Sequence, residues 1–133
     1  MTRVLVVEDN ADSREILTFE LEAEGFEVYA VGDGLSAVEA AAAFRPDVIV
    51  MDISLPTVDG LEATRRIKAQ PALATVPVLA LTAHAMTGDE ARFRAAGCDQ
   101  YLAKPANPED VLQVIRQLLE QAQRPAPSSP SDA

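Results

Sequence analysis

The run Asp47-Val48-Ile49-Val50-Met51-Asp52 places four consecutive large apolar residues between two carboxylates, with Pro46 before it and Pro56 and Gly60 after it. A short run rich in Val and Ile, closed at both ends by chain breakers, fits a strand buried on both faces. Such strands occupy the middle of parallel sheets, and parallel neighbours need crossover connections, usually helices. In open α/β sheets, ligands and chemistry collect beyond the carboxyl ends of the strands. Asp52 therefore stands where a reactive group is expected.

Taken in order, the chain supplies the rest of such a sheet. Arg3-Val4-Leu5-Val6-Val7 reads as a first strand, broken by Glu8-Asp9-Asn10. Asp12 with Glu15 three residues on predicts a capping-box helix start, and Gly25 suits the left-handed position past its end. Glu27 to Ala30 is a short second strand, followed by a turn at Gly32-Asp33-Gly34 and an Ala-rich helix to Phe44 that Pro46 stops. After the central strand, Ser54 to Val58 reads as a loop. Asp59 and Glu62 repeat the capping-box spacing for a helix to about Gln70. Pro71 and Pro77 bracket a second loop before the strand Val78 to Thr82. Thr87 with Glu90 opens a helix that Gly97 closes, and Tyr101-Leu102-Ala103 is a fifth strand ending at Lys104-Pro105. Asn107 as N-cap and Pro108 at the first helical position start a last helix, whose apolar stripe is Val111, Ile115 and Leu118 flanked by Leu112 and Leu119. Five strand-helix units predict an α/β domain over residues 1–123 with a parallel sheet and right-handed crossovers. From Arg124 the Pro, Ser and Ala composition of residues 124–133 predicts a disordered tail or the start of a linker.

Composition excludes several functions. A chain of 133 residues holds one core. A net charge of −10 opposes attraction to phosphate backbones, so direct nucleic-acid binding is not expected. Cys98 is the single cysteine, which precludes an intrachain disulfide and reads as a small buried filler. The first apolar segment is too short for a signal peptide, and no run approaches the ~18 residues of a membrane span. The expected setting is soluble and cytoplasmic.

Read at their carboxyl ends, the strands converge. The first delivers Glu8 and Asp9, the third Asp52, the fourth Thr82 and the fifth Lys104. With the sheet ordered 2-1-3-4-5, the first and third strands flank the switch point and three carboxylates share one crevice. Each close pair costs about 3 kcal/mol at ~5 Å and an effective dielectric near 20, so a cation is required. An all-oxygen set favours a hard divalent ion, Mg²⁺ rather than Zn²⁺. Lys104 adds a flexible point charge suited to phosphate and Thr82 a hydroxyl donor. Any one of these residues is commonplace at a strand end; their convergence suits phosphoryl transfer to an aspartate.

The segments Val7-Glu8-Asp9-Asn10, Met51-Asp52-Ile53-Ser54-Leu55-Pro56 with Asp59-Gly60, Leu81-Thr82-Ala83, and Tyr101-Leu102-Ala103-Lys104-Pro105 resemble the receiver domain of two-component response regulators, of the chemotaxis-regulator type. The resemblance runs from about Thr2 to Gln121. It implies a flavodoxin-like (βα)5 three-layer sandwich and a phosphorelay protein whose Asp52 accepts a phosphoryl group from a sensor histidine kinase or histidine phosphotransfer protein, with an unnamed protein downstream. It implies Mg²⁺ or Mn²⁺ held by Asp9, Asp52 and the Ser54 main-chain carbonyl, with Glu8 acting through water. Thr82, Lys104 and the main-chain amides of Ile53 and Ala83 would contact the phosphoryl oxygens. The Lys104-Pro105 peptide would be cis, Thr82 and Tyr101 would form the switch, and Ser54 and His84 would tune phosphoryl lifetime. Such a protein assists chemistry on its own Asp52 and is not an enzyme with a dedicated substrate. The kinase is expected on the first helix and the loop after Lys104; there Phe19 falls off the Leu17 and Leu21 stripe, and Arg14 and Thr18 are expected to face solvent. Ala106 and the segment Cys98 to Tyr101 depart from the pattern of DNA-binding regulators.

Four other readings compete, the weakest a nucleotide-binding domain, since no Gly-rich phosphate loop follows any strand. A phosphatase of the haloacid-dehalogenase kind also phosphorylates a strand-end aspartate, but its second acid would fall at Ser54. A receiver-like scaffold that binds without phosphorylation would lack the acids or Lys104. A receiver from a hybrid histidine kinase would carry the same site, with a linker beginning at Arg124.

Overall fold

In the computed structural model, residues 1–55, 58–83 and 89–123 are described. The expected loop residues Pro56 and Thr57, the expected helix opener Thr87, His84 and the tail from Arg124 lie outside them. The elements alternate as β1 (Arg3–Val7), α1 (Ala11–Ala23), β2 (Glu27–Val31), α2 (Gly34–Phe44), β3 (Val48–Asp52), α3 (Gly60–Lys68), β4 (Val78–Thr82), α4 (Asp89–Ala96), β5 (Gln100–Ala103) and α5 (Pro108–Gln123). The strands form one sheet in the order β2-β1-β3-β4-β5, and every pairing is parallel. This is the flavodoxin-like sandwich.

Strand alternation builds a core on each face. Leu5, Val7, Ile49, Met51, Val78 and Ala80 meet Ala37 and Ala41 of α2, Leu61, Ala63 and Ile67 of α3, and Phe93 and Ala96 of α4. Val4, Val6, Val48, Val50, Leu79 and Leu81 meet Leu17 and Leu21 of α1 and Val111, Ile115 and Leu118 of α5. All five residues of β3 and of β4 are buried, as continuous apolar runs in central parallel strands should be. Leu112 and Leu119 flank the α5 stripe half-buried, as its period predicts. Cys98 is buried filler, its thiol pushed up to about 11 chiefly by desolvation, which leaves it protonated and inert at neutral pH.

The helix starts differ in part from expectation. α1 opens at Ala11, with Asn10 as N-cap accepting from Ser13 N–H at 2.9 Å, so the Asp12 and Glu15 capping box is not formed. The reason is that Asn10 is the last residue in extended backbone, and Asp12 already lies within the first turn. α3 has half of its box: Asp59 accepts from Glu62 N–H, while the Glu62 carboxylate turns to Arg65 and Arg66. Asn107 caps α5 through Asp110 N–H as predicted. Gly25 and Gly97 close α1 and α4 at φ 95° and 109°, values at which a Cβ is strained. Between Pro71 and Pro77, a 3-10 turn over Pro71–Leu73 buries Leu73.

Candidate functional site

Parallel register brings the strand ends to one level: Val7 pairs with Met51, and Asp52 with Leu81. Beyond them Glu8, Asp9 and Asp52 each offer an oxygen, and the three atoms lie within 4.8 Å of one another. Lys104, carried on the loop after β5, reaches across to this cluster. Its Nζ stands 3.0 Å from Asp52 Oδ2 and 3.3 Å from Glu8 Oε1. The Lys104-Pro105 peptide is cis. Thr82 is buried at the end of β4, and Lys104 N–H donates to Thr82 O at 2.7 Å.

Asp52 is 1 % exposed. Its Oδ1 accepts from Ser54 N–H at 2.9 Å, yet Oδ2 has no hydrogen-bond donor directed at it. The ammonium is close enough to compensate charge but misaligned for a hydrogen bond. The compensation of Oδ2 is therefore the 3.0 Å ion pair with Lys104 and not a well-aligned hydrogen bond. Glu8 is pushed above the ordinary carboxylate range, first by burial; Asn10 N–H pulls it down, Asp52 raises it and Lys104 lowers it. Burial alone would depress Lys104, but Asp52 and Glu8 outweigh it and hold the ammonium above the usual lysine value.

The donor set suits a divalent cation. All donors are oxygen, and the one ammonium, Lys104, pairs with Glu8 and Asp52 while Asp9 adds a third carboxylate. Hard, hydrated ions of the Mg²⁺ type match that chemistry.

Two expectations need correction. The Ile53 amide is not turned toward the site, because it continues the sheet by donating to Leu81 O at 2.9 Å. The amide beside the Asp52 carboxylate belongs to Ser54. Arg14 is not solvent-facing; its Nη1 donates to Glu8 O at 2.8 Å. Thr18 is half-buried, with its hydroxyl oxygen inside. Phe19 is off the buried stripe as predicted, 69 % exposed.

Residue composition did not disclose the role of Gly60. A Cβ there would run into the Asp52 carbonyl and lie 2.7 Å from Ile53 Cα, so only glycine lets α3 start against the backbone that carries the phosphoacceptor candidate. Gly60 N–H closes this approach on Ile53 O at 2.9 Å. The one available signal was its place in the Asp59-Gly60 motif.

Comparison with known proteins agrees with this geometry. Residues 4–116 match the response regulator receiver domain. The polar-differentiation response regulator DivK of Brucella anthropi is 41% identical over 116 residues, covering 87% of this chain and 94% of DivK. The receiver domain of the sensor histidine kinase PA1611 from Pseudomonas aeruginosa, crystallised with magnesium in its active-site cleft, superposes with TM-score 0.82 at 38% identity, over 90% of this chain and 98% of that one. The chemotaxis protein CheY4 of Vibrio cholerae gives TM-score 0.85 at 30% identity, over 89% and 98%. The chain belongs to the response regulator receiver family. Like those relatives, it is a signalling module of two-component systems. Among the described residues, no helix is long and apolar enough to cross a membrane.

Proposed function

We propose that the chain is a phosphorelay receiver whose Asp52 takes a phosphoryl group from a phosphohistidine of a sensor kinase or phosphotransfer protein. The observation that carries this is the Asp52 carboxylate, 1 % exposed, with Glu8 and Asp9 beside it and Lys104 Nζ 3.0 Å from its Oδ2. Attack by this oxygen forms the P–O bond as the P–N bond breaks, and such transfer needs positioning and charge neutralisation more than covalent help. Asp9, Asp52 and the Ser54 carbonyl would hold Mg²⁺ or Mn²⁺, with Glu8 through water. When bound, the metal neutralises the carboxylates and the incoming phosphoryl oxygens. Lys104 supplies a second positive charge, Thr82 a hydroxyl, and the amides of Ser54 and Ala83 further donors. The chain assists chemistry on its own Asp52 and its hydrolysis, in a cytoplasmic setting, and turns over no dedicated small molecule. Phosphate incorporation from a small phosphodonor tests this. Wild type should label only with divalent cation and Asp52→Asn not at all; equal labelling of both overturns the assignment.

The docking face for the kinase is the exposed side of α1. Ile16 (56 % exposed) and Phe19 stand there in the open, with the exposed acids Asp12, Glu15 and Glu20 around them. Ile16→Ala with Phe19→Ala should slow transfer from a phosphorylated phosphotransfer domain but not from a small donor. Equal slowing of both removes α1 from the interface.

The output is a population shift at Thr82 and Tyr101. Tyr101 pairs with Ala80, two residues from Thr82 on the same sheet face. Its half-buried ring packs edge-on to Phe93 of α4 at 5.5 Å. Movement of the Thr82 hydroxyl toward the phosphoryl group opens room for that ring, altering the α4, β5 and α5 face. Full wild-type amide shifts across residues 89–121 in Thr82→Ala with beryllofluoride would exclude this route. The similarity to the PA1611 receiver favours a hybrid-kinase setting as a second context for the same chemistry.

A further inference from the structure

The parity of the β1 and β2 ladder places one hydrogen-bond acceptor outside the sheet. Glu27 N–H donates to Thr2 O and Glu8 N–H to Val31 O at 3.1 Å, so even-numbered residues of the first strand bond toward β2. The next rung would be a donor from Asp33 to Glu8 O. β2 leaves the ladder at Val31, however, and Asp33 turns away to cap α2. Arg14 of α1 takes that place, its Nη1 donating to Glu8 O at 2.8 Å.

The space for this guanidinium is made by Gly32. A Cβ at position 32 would lie 2.9 Å from Arg14 Nη1 and 3.9 Å from Glu8 O. Gly32 has no left-handed φ, so backbone conformation does not require glycine there. A Cβ there would meet the movable end of the Arg14 side chain and displace it from Glu8 O. Glu8 is thus held at its N–H by β2 and at its carbonyl by α1, and the following residue, Asp9, leaves from that fixed carbonyl.

We infer that Arg14, admitted by Gly32, is a positioning residue that fixes the Glu8-Asp9 turn and thereby sets the affinity of the acidic cluster for a divalent cation. The inference rests on the metal-dependent receiver reading above. The hydrogen bond of Arg14 is to the Glu8 carbonyl, so it acts through the backbone that carries two of the three acids. Groups that orient metal ligands from behind change metal affinity about 10–100-fold when removed.

The test is Mg²⁺ titration of the full chain, followed by amide NMR shifts at Asp9, Asp52 and Ser54. Arg14→Met keeps the apolar stem and removes the donors; it should bind Mg²⁺ about tenfold more weakly. Arg14→Lys, which retains a donor, should recover part of the loss. Gly32→Ala leaves Arg14 in the sequence but pushes its end group away, and should weaken binding in the same direction. Raising Mg²⁺ to saturation should restore labelling of Arg14→Met by a small phosphodonor, which general damage to the fold would not permit. Unchanged Mg²⁺ affinity in Arg14→Met, or labelling that stays low at saturation, overturns the inference. Loss in Arg14→Met with none in Gly32→Ala overturns the role given to Gly32. A wild-type chain showing no Mg²⁺ shifts overturns the metal-site reading itself.

Discussion

Two lysine-carboxylate contacts sit at opposite ends of this sheet, and they are built differently. At the amino end of β4, Lys68 Nζ meets Asp99 Oδ2 at 3.4 Å, and the same oxygen accepts from Val78 N–H at 2.8 Å. That carboxylate satisfies a fully buried strand residue and ties α3 to the start of β5. At the carboxyl end, Lys104 approaches Asp52 Oδ2 at 3.0 Å without giving it a hydrogen bond, and two further acids crowd in. The first contact closes a structure. The second gathers three carboxylates around one ammonium, an excess of negative charge that suits a cation.

The contrast is sharpest in the response to metal. With Mg²⁺ at about 100 times its dissociation constant, wild type should gain about 2.7 kcal/mol of unfolding free energy. Urea denaturation should show this gain in Asp99→Ala and not in Asp9→Asn. In the absence of metal, Asp52→Asn should be no less stable than wild type, since it removes one of three neighbouring anions. A gain that survives in Asp9→Asn would break the distinction between the two ends.

Next in size is Asp99→Ala, which leaves the Val78 N–H without its acceptor. It should cost about 1–3 kcal/mol while phosphate incorporation at Asp52 stays near wild type, both read on one preparation. A stability unchanged by the substitution would show that the amino-end contact is ornamental surface charge.

The smallest effect concerns Asp33, which shares the carboxyl end of the sheet with Asp52 but is satisfied. Its carboxylate accepts from Ser36 N–H at 2.8 Å and Ser36 Oγ at 3.0 Å, and the Ser36 N–H, first among the causes, holds it below the ordinary Asp value. With the folded value depressed, this stabilisation is complete above the unfolded value of 3.8 and is lost as pH falls through the folded one. Asp33→Ala should therefore differ from wild type by a constant amount at neutral pH, and the difference should shrink below about pH 4. A difference that grows on acidification contradicts the cap. Two carboxylates at the same end of the sheet thus differ in surroundings: Asp33 is satisfied by Ser36, while Asp52 shares its crevice with two further acids and Lys104.

The sequence by itself determined the five units and the polar residues that end the strands, while the strand order came with the family resemblance and is seen in the sheet itself. The reason is that buried parallel strands are written as continuous apolar runs, and each ends abruptly at its polar residue, as at Val7-Glu8, Met51-Asp52 and Leu81-Thr82. Tertiary structure alone decided what depends on the space between elements. That Asn10, not Asp12, caps α1 follows from where β1 stops and the chain turns. That the Ile53 amide belongs to the sheet and the Ser54 amide to the carboxylate follows from the register of β3 on β4. Arg14 and Gly32 lie 18 positions apart on different elements, and Gly60 is set against Asp52 by the return of α3 onto β3. No local period or propensity encodes such contacts, because a missing Cβ has meaning only once the atom that occupies its place is known.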